Sequence, residues 1–228
     1  MGKKLIVLSL GGSLIIPENI DLDYLRKFRE TIFRNTDKYK FVIVCGGGST
    51  ARKYINALRE EKRSNYIQSL AGISATRMNA RFMSYFFNFN PEKGIPHDMN
   101  DIKNLLKTRD IIFCGALRYA PDQTSDATAV KLASFLKTSF INLTNVKGLY
   151  NKNPFENKDA KFIAKASIEE FAKIVFSIPS KPGMHAPVDH EAMRVIKKNK
   201  IKTYIIGKDT KQLDNLLKGK SFIGTTIE

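Results

Sequence analysis

The 228 residues carry 38 Lys and Arg against 22 Asp and Glu, a formal net charge of +16, and 43% of them are hydrophobic. That composition suits a globular chain long enough for one large α/β domain or two small ones, and no run of about 18 apolar residues that could cross a bilayer is present. The charge favours anionic ligands without choosing among nucleotides, phosphates and nucleic acid, because Lys and Arg are spread through almost every segment rather than gathered into one tail.

MGKK leads into an apolar strand rather than a secretory leader, so a cytoplasmic location is expected. Lys4–Leu10 (KLIVLSL) reads as a strand buried on both faces, since a strand with one wet face would alternate, and it ends in Gly11, Gly12 and Ser13. Asp21–Phe33 places Leu22, Leu25, Phe28, Ile32 and Phe33 on one side, as an amphipathic crossover helix does. Phe41–Cys45 is a second buried strand, ending in Gly46, Gly47 and Gly48, where the main chain can approach a ligand and adopt positive φ. A helix follows, with Ser49 or Thr50 as its cap and Ala51, Tyr54, Ile55 and Leu58 at helical spacing, so its positive end faces whatever lies over the glycines. Arg52, one residue into that helix, adds a bidentate fork for phosphate oxygens. Two glycine-ended strands predict two phosphate-binding turns at the carboxyl edge of one parallel sheet. Neither G-x-G-x-x-G nor a P-loop occurs.

Ile67–Phe89 continues a helical pattern rich in Phe, Met and Tyr, read as core or subunit contact, and Pro91–Asn100 reads as a loop in which His97 has no partner at metal spacing. Asp110–Cys114 is a strand; Cys45 and Cys114 each close an apolar run before glycine, the setting of buried reduced thiols rather than a disulfide. Thr124, Ser125 and Asp126 open the next helix, either as a plain N-cap or as a gathering of hydroxyls and a carboxylate for chemistry. Ser139–Asn145 is a strand, and Val146–Phe155 a punctuated loop with an aromatic able to stack on a base. Ser167 with Glu170 forms a capping box for a helix to Ile174, and Ser177–Pro187 is an irregular loop. Val188–Ile196 is helical, Lys202–Ile206 a strand ending in Gly207, and Ser221–Ile227 a short closing strand. His185 and His190 read as ordinary loop and helix histidines.

The order VLSLGGSL, IPENIDLDYL, CGGGSTARKYI, GISATRMNA, DQTSDATAVKLA, LTNVKGLYNKNP, PVDHEAM and GTTI, nearly end to end, resembles the amino acid kinase superfamily and, within it, the archaeal-type uridylate (UMP) kinases. The resemblance implies one domain over 1–228, a three-layer α/β/α sandwich with a mainly parallel central sheet. In it residues 1–130 would build the acceptor site and residues 131–228 the ATP site. It implies transfer of the γ-phosphoryl group of ATP to UMP with Mg²⁺, and a homo-oligomer, with a hexamer favoured and nucleic acid not expected as a partner.

By the same resemblance, Gly11, Gly12 and Ser13 would lie along the ATP phosphates, and Gly48 and Arg52 between the two nucleotides. Gly47, Ser69, Pro121, Asp122, Gln123, Thr124 and Ser125 would line the UMP site, and Thr144, Asn145, Tyr150 and Asn153 the ATP base and ribose wall. Asp126 and Asp189 match carboxylates that organise metal, ATP and phosphates, and with Arg52 they are the expected catalytic residues. Ser9 stands where many members of the superfamily carry a lysine, leaving Arg52, Lys208 or metal to supply that charge. Lys147 and Asn153 replace the two aspartates usual in their loop, and the GALRYAPDQTSD segment is longer than usual. Against the kinase reading stands a non-catalytic nucleotide or oxyanion binder on the same fold, or a kinase of another small acceptor.

Overall fold

The computed structural model describes residues 2–90, 92, 94–119, 124–178 and 187–228. In chain order its first elements are β1 (Lys4–Leu10), the one-turn α1 (Gly12–Ile15), α2 (Leu22–Arg34), β2 (Tyr39–Cys45), α3 (Gly48–Glu60), α4 (Asn65–Phe86), α5 (Met99–Leu105) and β3 (Ile111–Cys114). Then come α6 (Ser125–Phe135), β4 (Phe140–Leu143), β5 (Leu149–Tyr150), β6 (Phe162–Ile163), β7 (Lys165–Ala166), α7 (Ile168–Ser177), α8 (His190–Asn199), β8 (Thr203–Ile206), α9 (Thr210–Leu217) and β9 (Thr225–Ile227).

Among the described residues the central sheet runs β3-β2-β1-β4-β8-β9-β7, parallel at every pairing except β8 with β9, and β5 and β6 form a separate antiparallel ribbon. Successive β1 side chains point to opposite faces and both faces are covered, so the run lacks polar alternation. Val7 joins a core with Ile102, Val130, Phe171 and Met193 from α5–α8, whereas Leu8 joins one with Leu14, Phe28, Met83 and Leu213 from α1, α2, α4 and α9. The result is the three-layer α/β/α sandwich with a mainly parallel sheet. Leu10 is in register with Cys45 on one side and Leu143 on the other, and Leu143 with Ile206, so the four strands end level and release their loops along one edge.

Several local expectations are corrected. The helix after β2 starts at Gly48 with Gly47 as its N-cap and no capping side chain, so neither Ser49 nor Thr50 caps it; the Ser49 hydroxyl turns instead toward the Glu18 carbonyl at 3.5 Å. The glycines allow this earlier start because Gly48 adopts φ +62, which side chains rarely tolerate. Residues 99 and 100 are helical rather than loop, since Asp98 accepts the N–H groups of Asn100 at 2.8 Å and Asp101 at 2.9 Å. The punctuated loop after β4 contains a strand, β5, paired with β6. The capping box at Ser167 and Glu170 forms as expected, with both reciprocal bonds present. Most of Ser177–Pro187, including His185, lies outside the described residues.

Candidate functional site

The two glycine turns meet in backbone contact. A Cβ on Gly12 would lie 2.0 Å from the Gly48 nitrogen, and one on Gly46 would lie 2.4 Å from the Gly12 nitrogen. No side chain fits at either position, and Gly46 N–H closes the junction by donating to the Leu10 carbonyl at 2.9 Å. Only Gly48 of the three consecutive glycines needs positive φ; Gly46 is required by close approach. Gly11 sits against β4, its N–H donating to Leu143 O at 3.0 Å, and Thr144 N–H donates to Ile206 O at 2.9 Å. Ser13 lies in the single turn of α1, half-buried beside them.

Next to this junction Ser9, fully buried in β1, donates its hydroxyl to Asp126 Oδ1 at 2.6 Å. Asp126 occupies the first turn of α6, where Thr124 is the N-cap and accepts the Asp126 N–H at 3.1 Å. Both readings of the segment therefore hold together: a true N-cap, and a carboxylate brought to the sheet edge. Burial pushes the Asp126 carboxyl up to about 7; the Ser9 hydrogen bond opposes the rise and the nearby Asp189 charge adds to it. Asp189 caps α8 by accepting Ala192 N–H at 2.8 Å through Oδ1, while its Oδ2 accepts Ala127 N–H at 3.2 Å and the Thr124 hydroxyl. One carboxylate thus joins the N-termini of α6 and α8, where helix dipoles favour negative charge. Ser125, the first residue of α6, is half-buried beside it.

Farther along the sheet edge, past the end of β4, Thr144, Asn145, Tyr150 and Asn153 line one cleft together with Val146, Gly148, Pro154 and Phe155. The four residues expected at the base and ribose wall are thus brought together. The ribbon that carries Tyr150 is held by Thr225, whose hydroxyl accepts Leu149 N–H at 2.7 Å, and the Tyr150 ring meets Phe162 edge-on at 5.7 Å.

Other expected residues are placed differently. Arg52 lies in the second turn of α3, not one residue in; it is exposed and donates from Nη2 to the Pro17 carbonyl at 3.0 Å. It therefore borders the α1–α2 connection rather than pointing along the helix axis. Lys208 pairs with Asp21 Oδ2 at 2.5 Å, and that hydrogen bond holds the Asp21 carboxyl below the usual range. Ser69 is half-buried in the second turn of α4. Pro121, Asp122 and Gln123 lie outside the described residues. His190 Nε2 meets the carbonyls of Val175 at 3.1 Å and Ile178 at 2.9 Å, an ordinary helix-packing histidine. Cys45 and Cys114 are buried free thiols, and burial pushes the Cys114 thiol up to about 12, far from a reactive thiolate.

Sequence reasoning assigned α4 to packing, Ser69 apart, and missed three polar residues on it. Asn79 Nδ2 donates to the Gly46 carbonyl at 2.7 Å, Thr76 Oγ1 accepts Ala116 N–H at 2.9 Å, and Arg77 donates to the carbonyls of Ala116 and Leu117. The available signal was the polar trio Thr76, Arg77 and Asn79 inside an otherwise apolar stretch, where a buried polar side chain needs a designated partner.

A three-layer sandwich with glycine turns and paired carboxylates at the carboxyl edge of its sheet defines a class of phosphoryl-handling proteins, and residues 4–207 match the amino acid kinase family. This chain belongs to the amino acid kinase family. It is 32% identical to the uridylate kinase of Thermococcus kodakarensis, over 98% of this chain and 99% of that one. It is 34% identical to the uridylate kinase of Archaeoglobus fulgidus, over 97% of this chain and 99% of that one. The crystal structure of uridylate kinase from Archaeoglobus fulgidus superposes with a TM-score of 0.83, covering 98% of this chain and 99% of that one at 33% identity.

Proposed function

We propose that this chain is a uridylate kinase, transferring the γ-phosphoryl group of ATP to UMP to give UDP and ADP. The observation that carries the reading is the backbone junction of the two glycine turns beside the Ser9–Asp126 pair, in a chain matched end to end by proteins named uridylate kinase. In-line phosphoryl transfer needs positioning and charge stabilisation rather than a covalent group, and main-chain N–H groups, helix N-termini and cations supply both.

In this reading Gly11, Gly12 and Ser13 hold the ATP phosphates, and the cleft of Thr144, Asn145, Tyr150 and Asn153 takes the base and ribose. Gly48 and Arg52 stand between the nucleotides, where the Arg52 guanidinium can leave the Pro17 carbonyl for phosphate oxygens. Gly47, Ser69, Thr124 and Ser125 face the acceptor. Among the described residues no group of three or more His, Cys, Asp and Glu forms a metal cage. That donor set fits Mg²⁺ carried by ATP, which keeps waters and takes one or two carboxylates plus phosphates; Asp126 and Asp189 are the carboxylates that would hold it, and it would neutralise charge between the phosphates.

The residues are divided between an acceptor part, 1–130, and an ATP part, 131–228, of one domain. The chain works in the cytoplasm as a homo-oligomer, a hexamer in our reading, through α3 and α4, which expose Tyr54, Tyr66, Ile67, Met78 and Tyr85. A coupled ADP-release assay with Mg-ATP and UMP, CMP, AMP and dUMP tests the activity. Turnover highest with UMP is the expected result; no turnover with any acceptor, alongside retained ATP binding, would return the chain to the non-catalytic binder reading.

A further inference from the structure

The chain between β3 and α6 is anchored at both described ends. At its far end the Thr124 hydroxyl is tied to Asp189. At its near end the backbone of residues 115–117 is pressed onto α4: a Cβ on Gly115 would lie 2.6 Å from the Arg77 nitrogen and 2.7 Å from the Thr76 carbonyl carbon. On this contact Arg77 spreads a two-pronged grip, with Nε donating to Ala116 O at 3.1 Å and Nη2 to Leu117 O at 2.5 Å. Thr76 accepts the Ala116 N–H at 2.9 Å, and three residues further on the Tyr119 ring meets Tyr66 of α4 edge-on at 4.7 Å.

Consecutive carbonyls turned toward one guanidinium constrain the peptide planes between them. In trans peptides the N–H opposes the C=O, so the amides of Leu117 and Arg118 are directed away from α4. The same helix holds the Gly46 carbonyl through Asn79 at 2.7 Å, so one rigid element sets the β2 glycine turn and the start of the β3–α6 connection relative to each other. Arg77 itself is half-buried, and among the described residues its fork is committed to carbonyls rather than to a carboxylate.

We infer that Arg77 is a positioning residue for the acceptor: by gripping Ala116 and Leu117 it orients residues 116–119, on the acceptor side with Thr124 and Ser125, and it has no part in holding ATP. This rests on the uridylate kinase reading. A planar fork fixes the direction of both carbonyls at once, whereas the three rotatable donors of a lysine ammonium on a flexible stem hold neither peptide plane in one orientation.

The test compares Arg77→Ala and Arg77→Lys with the parent chain, measuring KM for UMP and for Mg-ATP separately, and amide hydrogen exchange over residues 116–119. Arg77→Ala should raise the KM for UMP about tenfold, leave that for Mg-ATP within about twofold, and speed exchange at 116–119 about tenfold. Arg77→Lys should fall between the two. Equal changes in both KM values, no change in the KM for UMP, or unaltered exchange would overturn the inference. If Arg77→Ala does not fold, Arg77→Lys decides by the same criteria. Absence of turnover in the parent chain would count against the kinase reading instead, and the exchange comparison together with calorimetric UMP binding would then decide the role of Arg77.

Discussion

Ser9 and Asp126 lie 117 residues apart in sequence and are joined across 2.6 Å, hydroxyl to carboxylate, at the point where β1 meets the first turn of α6. The bond couples the strand that ends in one glycine turn to the N-terminal turn of α6. A serine here leaves the local charge negative, so the cations that steady the transferring phosphoryl group must come from elsewhere.

Asp126 should make stability depend on pH. Its carboxyl is pushed up to about 7 in the folded chain, against 3.8 for the ordinary group, so the folded state binds more protons between those values. Stability therefore falls as pH rises from about 4 to about 7, and the penalty persists above that window. Asp126→Asn should raise the melting temperature at about pH 8 and flatten this limb while abolishing most turnover. Calorimetric melting across the range, without Mg-ATP, checks it; an unchanged pH profile in the variant would remove Asp126 as its source.

Arg52 is exposed and bonded to a single loop carbonyl, so its removal should cost little stability. Arg52→Ala is expected to lower kcat about 100-fold, the scale of losing one donor to a developing charge. The melting temperature should move by no more than about 2 °C. Unchanged turnover would show that another cation serves the phosphates.

Asp189 combines two duties that substitution can separate. Asp189→Ala loses the acceptor for Ala192 and Ala127 N–H groups at two helix N-termini and should destabilise the fold by about 2 kcal/mol. Asp189→Asn keeps an acceptor oxygen and should recover most of that stability while leaving activity low. Denaturant midpoints alongside kcat distinguish the two; full activity in the Asn variant would restrict Asp189 to capping.

The glycine junction should be intolerant of the smallest side chain. A Cβ at Gly48 would meet Ile16 Cγ2 at 2.5 Å and Gly12 O at 2.6 Å, and its φ of +62 adds strain. Gly48→Ala is expected to destabilise by more than about 2 kcal/mol and to eliminate turnover, read by urea unfolding and the ADP assay.

Tyr150 should report on the ATP side alone. Tyr150→Ala removes a ring from the cleft wall shared with Thr144, Asn145 and Asn153. The KM for ATP should rise about tenfold and that for UMP should remain within about twofold, as measured by initial rates.

The sequence by itself determined β1, β2, β3, β4 and β8 and the glycine turns, because a strand buried on both faces is written as an uninterrupted apolar run and a turn without side-chain room is written as consecutive glycines. It also determined the caps at Thr124 and Ser167, whose hydrogen bonds span two or three residues. The tertiary structure alone decided which distant groups meet. Ser9 reads as the loss of a lysine until β1 is laid beside α6, and Asp189 reads only as a carboxylate for metal and phosphates until its two oxygens meet the N-termini of α8 and α6. Arg77 reads as the polar face of a packing helix until the chain after β3 folds onto it. Arg52 and Lys208 were both eligible for phosphate, and the fold gave them a carbonyl and a carboxylate to hold. Local periodicity records which face of an element is buried. Partners separated by up to 187 residues depend on strand order and register, which the packing of all the elements sets together.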